Sequence, residues 1–173
     1  MATGRPPRDS LICQSHEKNI ESMSHVNLRI IPFESTWQDQ ARLLVLTGLE
    51  EHWGKLAPSM NRDLEDIERH YASGRFLIAL CREQIVGTGA IVPEGTDIMR
   101  LVRMSVAKSH RRMGVATRLL ASLLQWAQDE GCRNVVCETT DTWADAIGFY
   151  LHHGFAIAER RDGEVHFVRH LRP

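Results

Sequence analysis

The stretch RRMGVAT, from Arg111 to Thr117, stands where a run of strand-forming residues gives way to a long apolar stripe. The first backbone N–H groups of a helix have no partner within the helix, and they attract anions. Gly114 has no Cβ, so a phosphate can come close to such groups, while Arg111 and Arg112 add cations beside them. The stretch therefore predicts a diphosphate-binding turn, and the alternative is a solvated turn that binds nothing.

The residues on either side of this turn predict a strand before it and a helix after it. Upstream, DIMRLVRMSV at 97–106 is β-rich and long enough for a central strand. Downstream, apolar residues recur at helical spacing from Val115 to Ala127, and Gly131 is placed to end the helix. No GxxxxGKS/T motif occurs and no GxGxxG follows a strand, which argues against an ATP-type P-loop and a dinucleotide fingerprint.

The rest of the chain continues strand and helix patterns around this central unit. The predicted elements lie, in order, at 27–32 (strand), 35–53 and 58–74 (helices), 75–83, 84–92 and 97–106 (strands), 115–130 (helix), 134–140 (strand), 143–153 (helix) and 156–171 (hairpin). The dipeptide Asp162-Gly163 suits the two-residue turn of that hairpin. The order β-αα-β-β-β-α-β-α-β-β predicts an α/β fold in which a mixed sheet has helices on both sides.

The composition indicates one globular domain without an extended charged surface. The chain has 173 residues, 43% of them hydrophobic, and 21 basic against 22 acidic side chains give a net charge of -1. This balance favours neither a nucleic-acid nor a membrane partner, and no apolar run reaches the roughly 18 residues of a membrane span. We expect a mobile tail over 1–26 and a single folded domain over 27–173.

The cysteines and histidines form no metal-site or disulfide pattern. Cys13, Cys81, Cys132 and Cys137 lack CxxC spacing, and the 9 histidines are scattered apart from one adjacent pair. We therefore expect no metal site, and we expect free thiols in a reducing cytoplasm.

Three stretches resemble the GNAT superfamily of N-acetyltransferases. Arg111 to Ala116 fits that family's cofactor motif, Gln/Arg-x-x-Gly-x-Gly/Ala, and Arg103 to Val106 looks like its fourth strand. Glu138 to Phe155 resembles its second signature, Asn-x-x-Ala-x-x-Phe/Leu-Tyr-x-x-x-Gly-Phe. The three agree in order and spacing, and the resemblance identifies 27–173 as an N-acetyltransferase domain.

The resemblance implies a single-domain fold that takes acetyl-coenzyme A (acetyl-CoA) as co-substrate where the fourth and fifth strands splay apart. The pantetheine would pair with the exposed backbone of the fourth strand, and the diphosphate would rest on the glycine turn. The implied cofactor-binding residues are Met104, Val106, Arg111, Arg112, Met113, Gly114, Val115, Ala116 and Thr117.

The resemblance also implies how the acetyl group moves, because an amine in this family attacks the thioester directly. The backbone N–H near Met104 would stabilise the oxyanion, and Tyr150 would protonate the departing thiolate. Without the motif, Tyr150 beside Phe149 would be interpreted as a core aromatic residue. The two catalytic assignments are therefore Tyr150 and the backbone of Met104.

Two positions depart from the family pattern. Trp143 stands where the second signature has Asn, so a side-chain hydrogen bond to the cofactor is not assured there. Arg100 stands where some members carry a glutamate, three residues before the arginine that corresponds to Arg103, and a guanidinium cannot accept a proton. The base is left open between water, a residue such as Glu138, and an amine that binds already neutral. Arg100 could instead hold a carboxylate of the substrate, and Glu138 could instead pair with a basic neighbour.

These observations predict an acetyl-CoA-dependent N-acetyltransferase that acts on the primary amine of a small molecule. The alternatives are an enzyme that acetylates peptide or protein amines and a CoA-binding sensor module without turnover. The resemblance also implies a homodimer formed through the C-terminal strands, for which the final hairpin offers polar-laced edges, and the alternative is a monomer. The candidates for the wall of the substrate pocket are Trp37, Trp53 and Tyr71.

Overall fold

A computed structural model of the chain describes residues 27–56 and 58–171, which form a seven-stranded mixed sheet and four α-helices. The strands are β1 Leu28–Pro32, β2 Arg75–Cys81, β3 Gln84–Pro93, β4 Ile98–Val106, β5 Asn134–Thr140, β6 Ala156–Arg161 and β7 Glu164–His170. The helices are α1 Gln38–Trp53, α2 Ile67–His70, α3 Val115–Asp129 and α4 Ala144–His152. The predicted order is confirmed, and the tail predicted at 1–26 lies outside the described residues. None of the helices described is both long and apolar enough to cross a membrane.

The sheet is continuous but opens between its two central strands. The strand order is β1-β2-β3-β4-β5-β7-β6, and every neighbouring pair is antiparallel except β4 and β5. Those two strands are parallel and pair only over 98–100 against 134–136. Within the described residues, 101–106 has no strand partner on that side, so the predicted splay of the two strands is confirmed.

Both faces of the sheet are buried because its central strands are apolar on both sides. In β2, Leu77 and Ala79 pack towards α3, while Ile78 and Leu80 pack towards α1 and α2. The apolar stripe of α3 covers the first face with fully buried side chains such as Leu119. Burying one such leucine contributes about 1.5–3 kcal/mol. The two cores hold β4 firmly from both sides up to the point where it parts from β5.

The C-terminal hairpin turns as its sequence predicts. Asp162 and Gly163 both adopt left-handed backbone angles, with φ of 52° and 79°, and such a pair fits the twist of the flanking strands. The outer strand β6 is exposed along its whole length, from Ala156 to Arg161. The edge on which the homodimer prediction rests is therefore accessible, and pairing through it stays a prediction.

The prediction of one continuous helix over 58–74 is wrong. The segment begins as a 3-10 turn, Pro58–Leu64, which is kinked at Asn61 (φ -131°, ψ 40°), and only the four residues of α2 are α-helical. Asp66 ends the continuity because its Oδ1 accepts a hydrogen bond from the backbone N–H of Arg69 (3.0 Å) and caps a new helix. The kink turns the side chains around Asn61 towards β4, where they contribute to the site described next.

Candidate active site

A cleft of ≈ 1400 Å³ follows the gap between β4 and β5. It is lined by nearly all the residues that the sequence assigned to a site: Met104, Val106, Arg111, Arg112, Gly114, Val115, Ala116, Thr117 and Tyr150. Met113 is the exception, because its side chain does not line the cleft and is 42% exposed at the surface. Separate stretches of the sequence therefore meet in one cavity, as the motif spacing predicts.

The glycine turn opens onto this cleft at the start of α3. Gly114 is the N-cap residue and has a left-handed backbone (φ 78°, ψ 5°), a conformation that glycine adopts without strain. No side chain caps this helix end among the residues described, and apart from the adjoining backbone no described atom lies within 4 Å of the place a Cβ would take. The helix start is therefore shaped to receive an external anion, in agreement with its electrostatic polarity.

Two neighbours hold the rim of this turn in place. The Arg111 guanidinium donates to Glu51 at the end of α1 (2.5 Å) and to the carbonyl of Val106 (3.1 Å). Thr117, in the first turn of α3, shares a hydrogen bond with Nε2 of His153 (3.1 Å). His153 lines the cleft as well, although its place at the end of a helix gave the sequence analysis no reason to assign it there.

Tyr150 is both a core residue and a cleft residue, so its core packing is compatible with the catalytic role, which stays a prediction. Its side chain is 8% exposed and packs against the rings of Phe149, Phe155 and Phe167. It also borders the cleft, next to the end of β5. Burial raises the pKa of the phenol far above its usual value, with smaller contributions from Cys137 and Glu138. The hydroxyl therefore keeps its proton at neutral pH and can act as a donor.

The two charged residues that were considered for substrate or proton binding turn out to be partners. The Arg100 guanidinium pairs with the carboxylates of Glu138 and Glu94. Arg100 belongs to the last residue pair between β4 and β5, so the contact with Glu138 bridges the strands where they part. A guanidinium with two carboxylate partners does not suit the proposed role in holding a substrate carboxylate. The expectation that Glu138 pairs with a basic neighbour agrees with this contact.

Trp143, which replaces the family's usual Asn, forms an aromatic contact across one side of the cleft. Its ring stacks on His52 at the end of α1 (4.1 Å between centroids, 11° between planes) and meets the edge of Trp53 (5.6 Å). The His52 Nε2 also lies 3.1 Å from the hydroxyl of Thr140, at the end of β5. Of the predicted wall residues, Trp53 and Tyr71 line the cleft, whereas Trp37 packs against the core beneath α1.

A partly buried polar cluster borders the cleft on the side of α1 and α2. The Arg103 guanidinium donates to both carboxylate oxygens of Asp63 (2.8 and 2.5 Å) and to Oδ1 of Asn61 (2.9 Å). The Tyr71 hydroxyl donates to Asp63 as well (2.6 Å). Burial alone would raise the pKa of Asp63, but the hydrogen bonds from Arg103 and Tyr71 outweigh it and lower that pKa below its ordinary value. Sequence reasoning missed this cluster, although a charged residue inside an apolar strand was a signal for it.

We expect Asp63→Asn to lower the free energy of unfolding by about 2 kcal/mol at neutral pH, because it weakens charge-assisted hydrogen bonds to a mostly buried guanidinium. The pKa of Asp63 in the folded state lies below the ordinary 3.8 of the unfolded chain. The ionised carboxylate therefore contributes its full stability above pH 3.8, and this stability is lost as the pH falls through the folded-state pKa. Urea unfolding at several pH values should show a constant difference from wild type above about pH 5 that shrinks below about pH 4. A difference that stays constant down to acid pH would contradict the ion pair.

The sequence matches the model of the acetyltransferase (GNAT) family over residues 33–155. It is 36% identical over 113 residues to N-acetyltransferase 8F1 of Rattus norvegicus, which covers 61% of this chain and 51% of that protein. It is 30% identical over 135 residues to N-acetyltransferase 8B of Homo sapiens, which covers 65% of this chain and 58% of that protein. The chain thus spans about half the length of the curated relatives it matches.

Solved structures share the fold at lower sequence identity. An acetyltransferase of the GNAT family from Staphylococcus aureus Mu50 superposes with a TM-score of 0.78 at 22% identity, covering 84% of this chain and 99% of that one. The PaiA N-acetyltransferase of Thermoplasma acidophilum, solved in complex with coenzyme A, gives a TM-score of 0.74 at 12% identity over 84% and 99% of the two chains. A third, from Elizabethkingia anophelis with acetyl-CoA bound, gives 0.60 at 16% identity over the same shares.

Proposed function

Because this chain belongs to the acetyltransferase (GNAT) family, we propose that it transfers the acetyl group of acetyl-CoA to the primary amine of a small molecule. The observation that carries the proposal is the cleft, which joins an unpaired strand edge to an uncapped helix start. A ligand with an amide-containing arm and a diphosphate matches those two features in that order. The coenzyme A and acetyl-CoA bound in two structures of the same fold support this choice of co-substrate.

The chemistry of the residues that line the cleft suits that co-substrate. The backbone edge of β4 at Met104 and Val106 would hold the pantetheine arm, and the backbone N–H groups from 111 to 117 would hold the diphosphate. The open space at Gly114 leaves room for the diphosphate, and Glu51 fixes Arg111 at the rim. Acetyl-CoA supplies the activated acetyl thioester, and these contacts bind and orient it.

We assign the proton and charge transfers to two groups that face the cleft. The backbone N–H of Met104 would donate to the carbonyl oxygen as it gains negative charge, which is the role of an oxyanion hole. Tyr150 would protonate the sulfur that leaves, because its hydroxyl carries a proton and its side chain borders the cleft. The carboxylate of Glu138 is engaged by Arg100, so we propose that water accepts the proton of the amine.

The aromatic contact at Trp143 favours a small acceptor over a long peptide. By stacking on His52, it joins the end of α1 to the start of α4 beside the cleft. We infer that this contact narrows the room for a peptide that continues on both sides of its amine. We therefore prefer an amine that enters from one end and stops at the thioester.

We also propose that the chain acts in the cytoplasm, as its cysteines predict. Cys81, Cys132 and Cys137 are buried free thiols, which suits a reducing compartment. The described part of the chain shows no group of His, Cys, Asp and Glu side chains arranged to hold a metal ion.

A thiol-release assay tests the function directly. We expect the purified chain to release free coenzyme A from acetyl-CoA at least about tenfold faster when a suitable small primary amine is present. The tertiary, N,N-dimethyl form of the same amine is the matched control, because it cannot form a stable amide. Release with peptide amines alone would favour the second substrate class. Binding of acetyl-CoA without release for any amine would contradict an enzymatic role and support a sensor module.

A further inference from the structure

Strand β4 contains an irregularity next to the proposed oxyanion donor. Where β3 advances two residues, from Thr88 to Ala90, β4 advances three, from Val102 to Ser105, so β4 carries a β-bulge. Arg103 lies in this bulge with a φ of 56°, in the left-handed region that side-chain-bearing residues disfavour. The other non-glycine residues with positive φ in the described part of the chain all lie in turns. A strained residue inside a strand needs contacts that hold it.

The backbone of the bulge is held from β3. Thr88 is completely buried, and its hydroxyl donates to the carbonyl oxygen of Arg103 (2.9 Å). The next residue of β3, Gly89, leaves space for the bulge, since a Cβ there would lie 2.6 Å from Sδ of Met104. Two neighbouring residues of β3 therefore match the bulge. The hydroxyl of Thr88 binds the backbone of Arg103, and the absence of a side chain at Gly89 leaves room for Met104.

The side chain of Arg103 is held from the opposite direction. Its Nε and Nη2 bind the carboxylate of Asp63, and its Nη1 binds Asn61, so all three guanidinium nitrogens have protein partners. The side chains of Arg103 and Asp63 are only 19% and 12% exposed. Tyr71 secures the same carboxylate with its hydroxyl. Because the guanidinium nitrogens of Arg103 already bind protein groups, this side chain is poorly placed to bind an acceptor.

From these contacts we propose that Arg103 is a positioning residue that holds the bulge of β4, so that the backbone N–H of Met104 points at the reacting thioester carbonyl. This inference rests on the proposed function. Thr88 fixes the carbonyl of Arg103, and Asp63 with Asn61 fixes its side chain, so the left-handed backbone between them cannot relax into a regular strand. The segment before α2 that carries Asn61 and Asp63 thereby sets the position of the backbone N–H of Met104.

Two substitutions at position 103 separate positioning from direct contact. Arg103→Ala and Arg103→Gly both remove the guanidinium, but only glycine tolerates the left-handed backbone without strain. We expect kcat to fall about tenfold in Arg103→Ala, whereas Arg103→Gly keeps a kcat at least about threefold above that of the alanine variant. The dissociation constant for acetyl-CoA should rise less than kcat falls in both, because the diphosphate site is untouched and only the contact at Met104 shifts.

The outcomes decide the inference in either direction. Equal kcat values in the two variants would show that the left-handed backbone at position 103 does not limit the reaction and would overturn the inference, as would an alanine variant with wild-type kcat. Glu83→Gln, which breaks an exposed ion pair with Arg29 far from the cleft, is the control and should behave as wild type. If circular dichroism shows Arg103→Ala to be unfolded, Thr88→Val replaces it, because this change removes only the bond to the Arg103 carbonyl. It should lower kcat several-fold, and an unchanged kcat would overturn the inference.

A measurement that needs no turnover keeps this inference distinct from the proposed function. If the wild type releases no thiol with any amine, the proposed function fails, and the bulge is followed instead by amide hydrogen exchange in the paired residues of β3 and β4 that flank it. Faster exchange in Arg103→Ala than in Arg103→Gly supports the clamp on the bulge. Equal exchange rates in the two variants overturn it.

Discussion

Replacing Gly114 with glutamate is expected to raise the dissociation constant for acetyl-CoA at least about a hundredfold. The space beside Gly114 is open, so the new side chain would enter the position proposed for the diphosphate. A carboxylate about 4 Å from a phosphate charge costs about 4 kcal/mol at the effective dielectric of a partly exposed site. A residue with a Cβ also destabilises the left-handed backbone at position 114 by roughly 1–2 kcal/mol, which disfavours the turn itself.

Isothermal calorimetry with acetyl-CoA measures this effect, and the same helix offers its control. Gly131, just past the C-terminal end of α3, also has a left-handed φ of 76° and open space around it. Gly131→Glu therefore suffers the same backbone strain far from the glycine turn and should bind as wild type does. If Gly114→Glu bound equally well, with its fold intact by circular dichroism, the start of α3 would not be the diphosphate site.

Replacing Tyr150 with phenylalanine is expected to lower kcat about a hundredfold, because general acids contribute roughly 10²–10⁴-fold to such reactions. The change removes the hydroxyl alone and leaves the ring packed against Phe149, Phe155 and Phe167. Acetyl-CoA affinity should change by less than about twofold, so the loss should be in the chemical step.

Thiol release under saturating acetyl-CoA and amine gives kcat for this comparison. Phe155→Leu is the matched variant, since it loosens the packing around Tyr150 but keeps the hydroxyl. It should cost about 1 kcal/mol of stability and leave kcat near the wild-type value. A Tyr150→Phe enzyme as fast as wild type would remove Tyr150 from the role of general acid.

The parts of the fold that the sequence predicts well are those encoded by neighbouring residues. The stripe from Val115 to Ala127 marks α3, and Asp162-Gly163 marks the last turn, because each signal lies within one element. The segment 58–74 misleads for the opposite reason. Its apolar spacing suits one long helix, but the cap formed by Asp66 and the kink at Asn61 divide it.

The candidate site divides in the same way. The glycine turn and Tyr150 carry local motifs, whereas the partners of Arg100 and Arg103 come from residues far away along the chain. Which carboxylate reaches which guanidinium depends on how the strands and helices are arranged, and residue types alone do not specify it. Met113 shows the limit of a motif, because it stands inside one but its side chain lies outside the cleft. The left-handed backbone of Arg103 likewise leaves no mark in the order of apolar and polar residues.

The brief pairing of β4 with β5 also bears on how the molecule resists unfolding. Three residue pairs are the only strand pairing, within the described part of the chain, between a leaf formed by β1 to β4 and a leaf formed by β5, β7 and β6. If acetyl-CoA lies in this gap, as we propose, it touches both leaves, and its binding should oppose their separation by mass action. The two leaves should therefore separate less often in the protein with acetyl-CoA bound. A protease should cleave that form more slowly than the free protein.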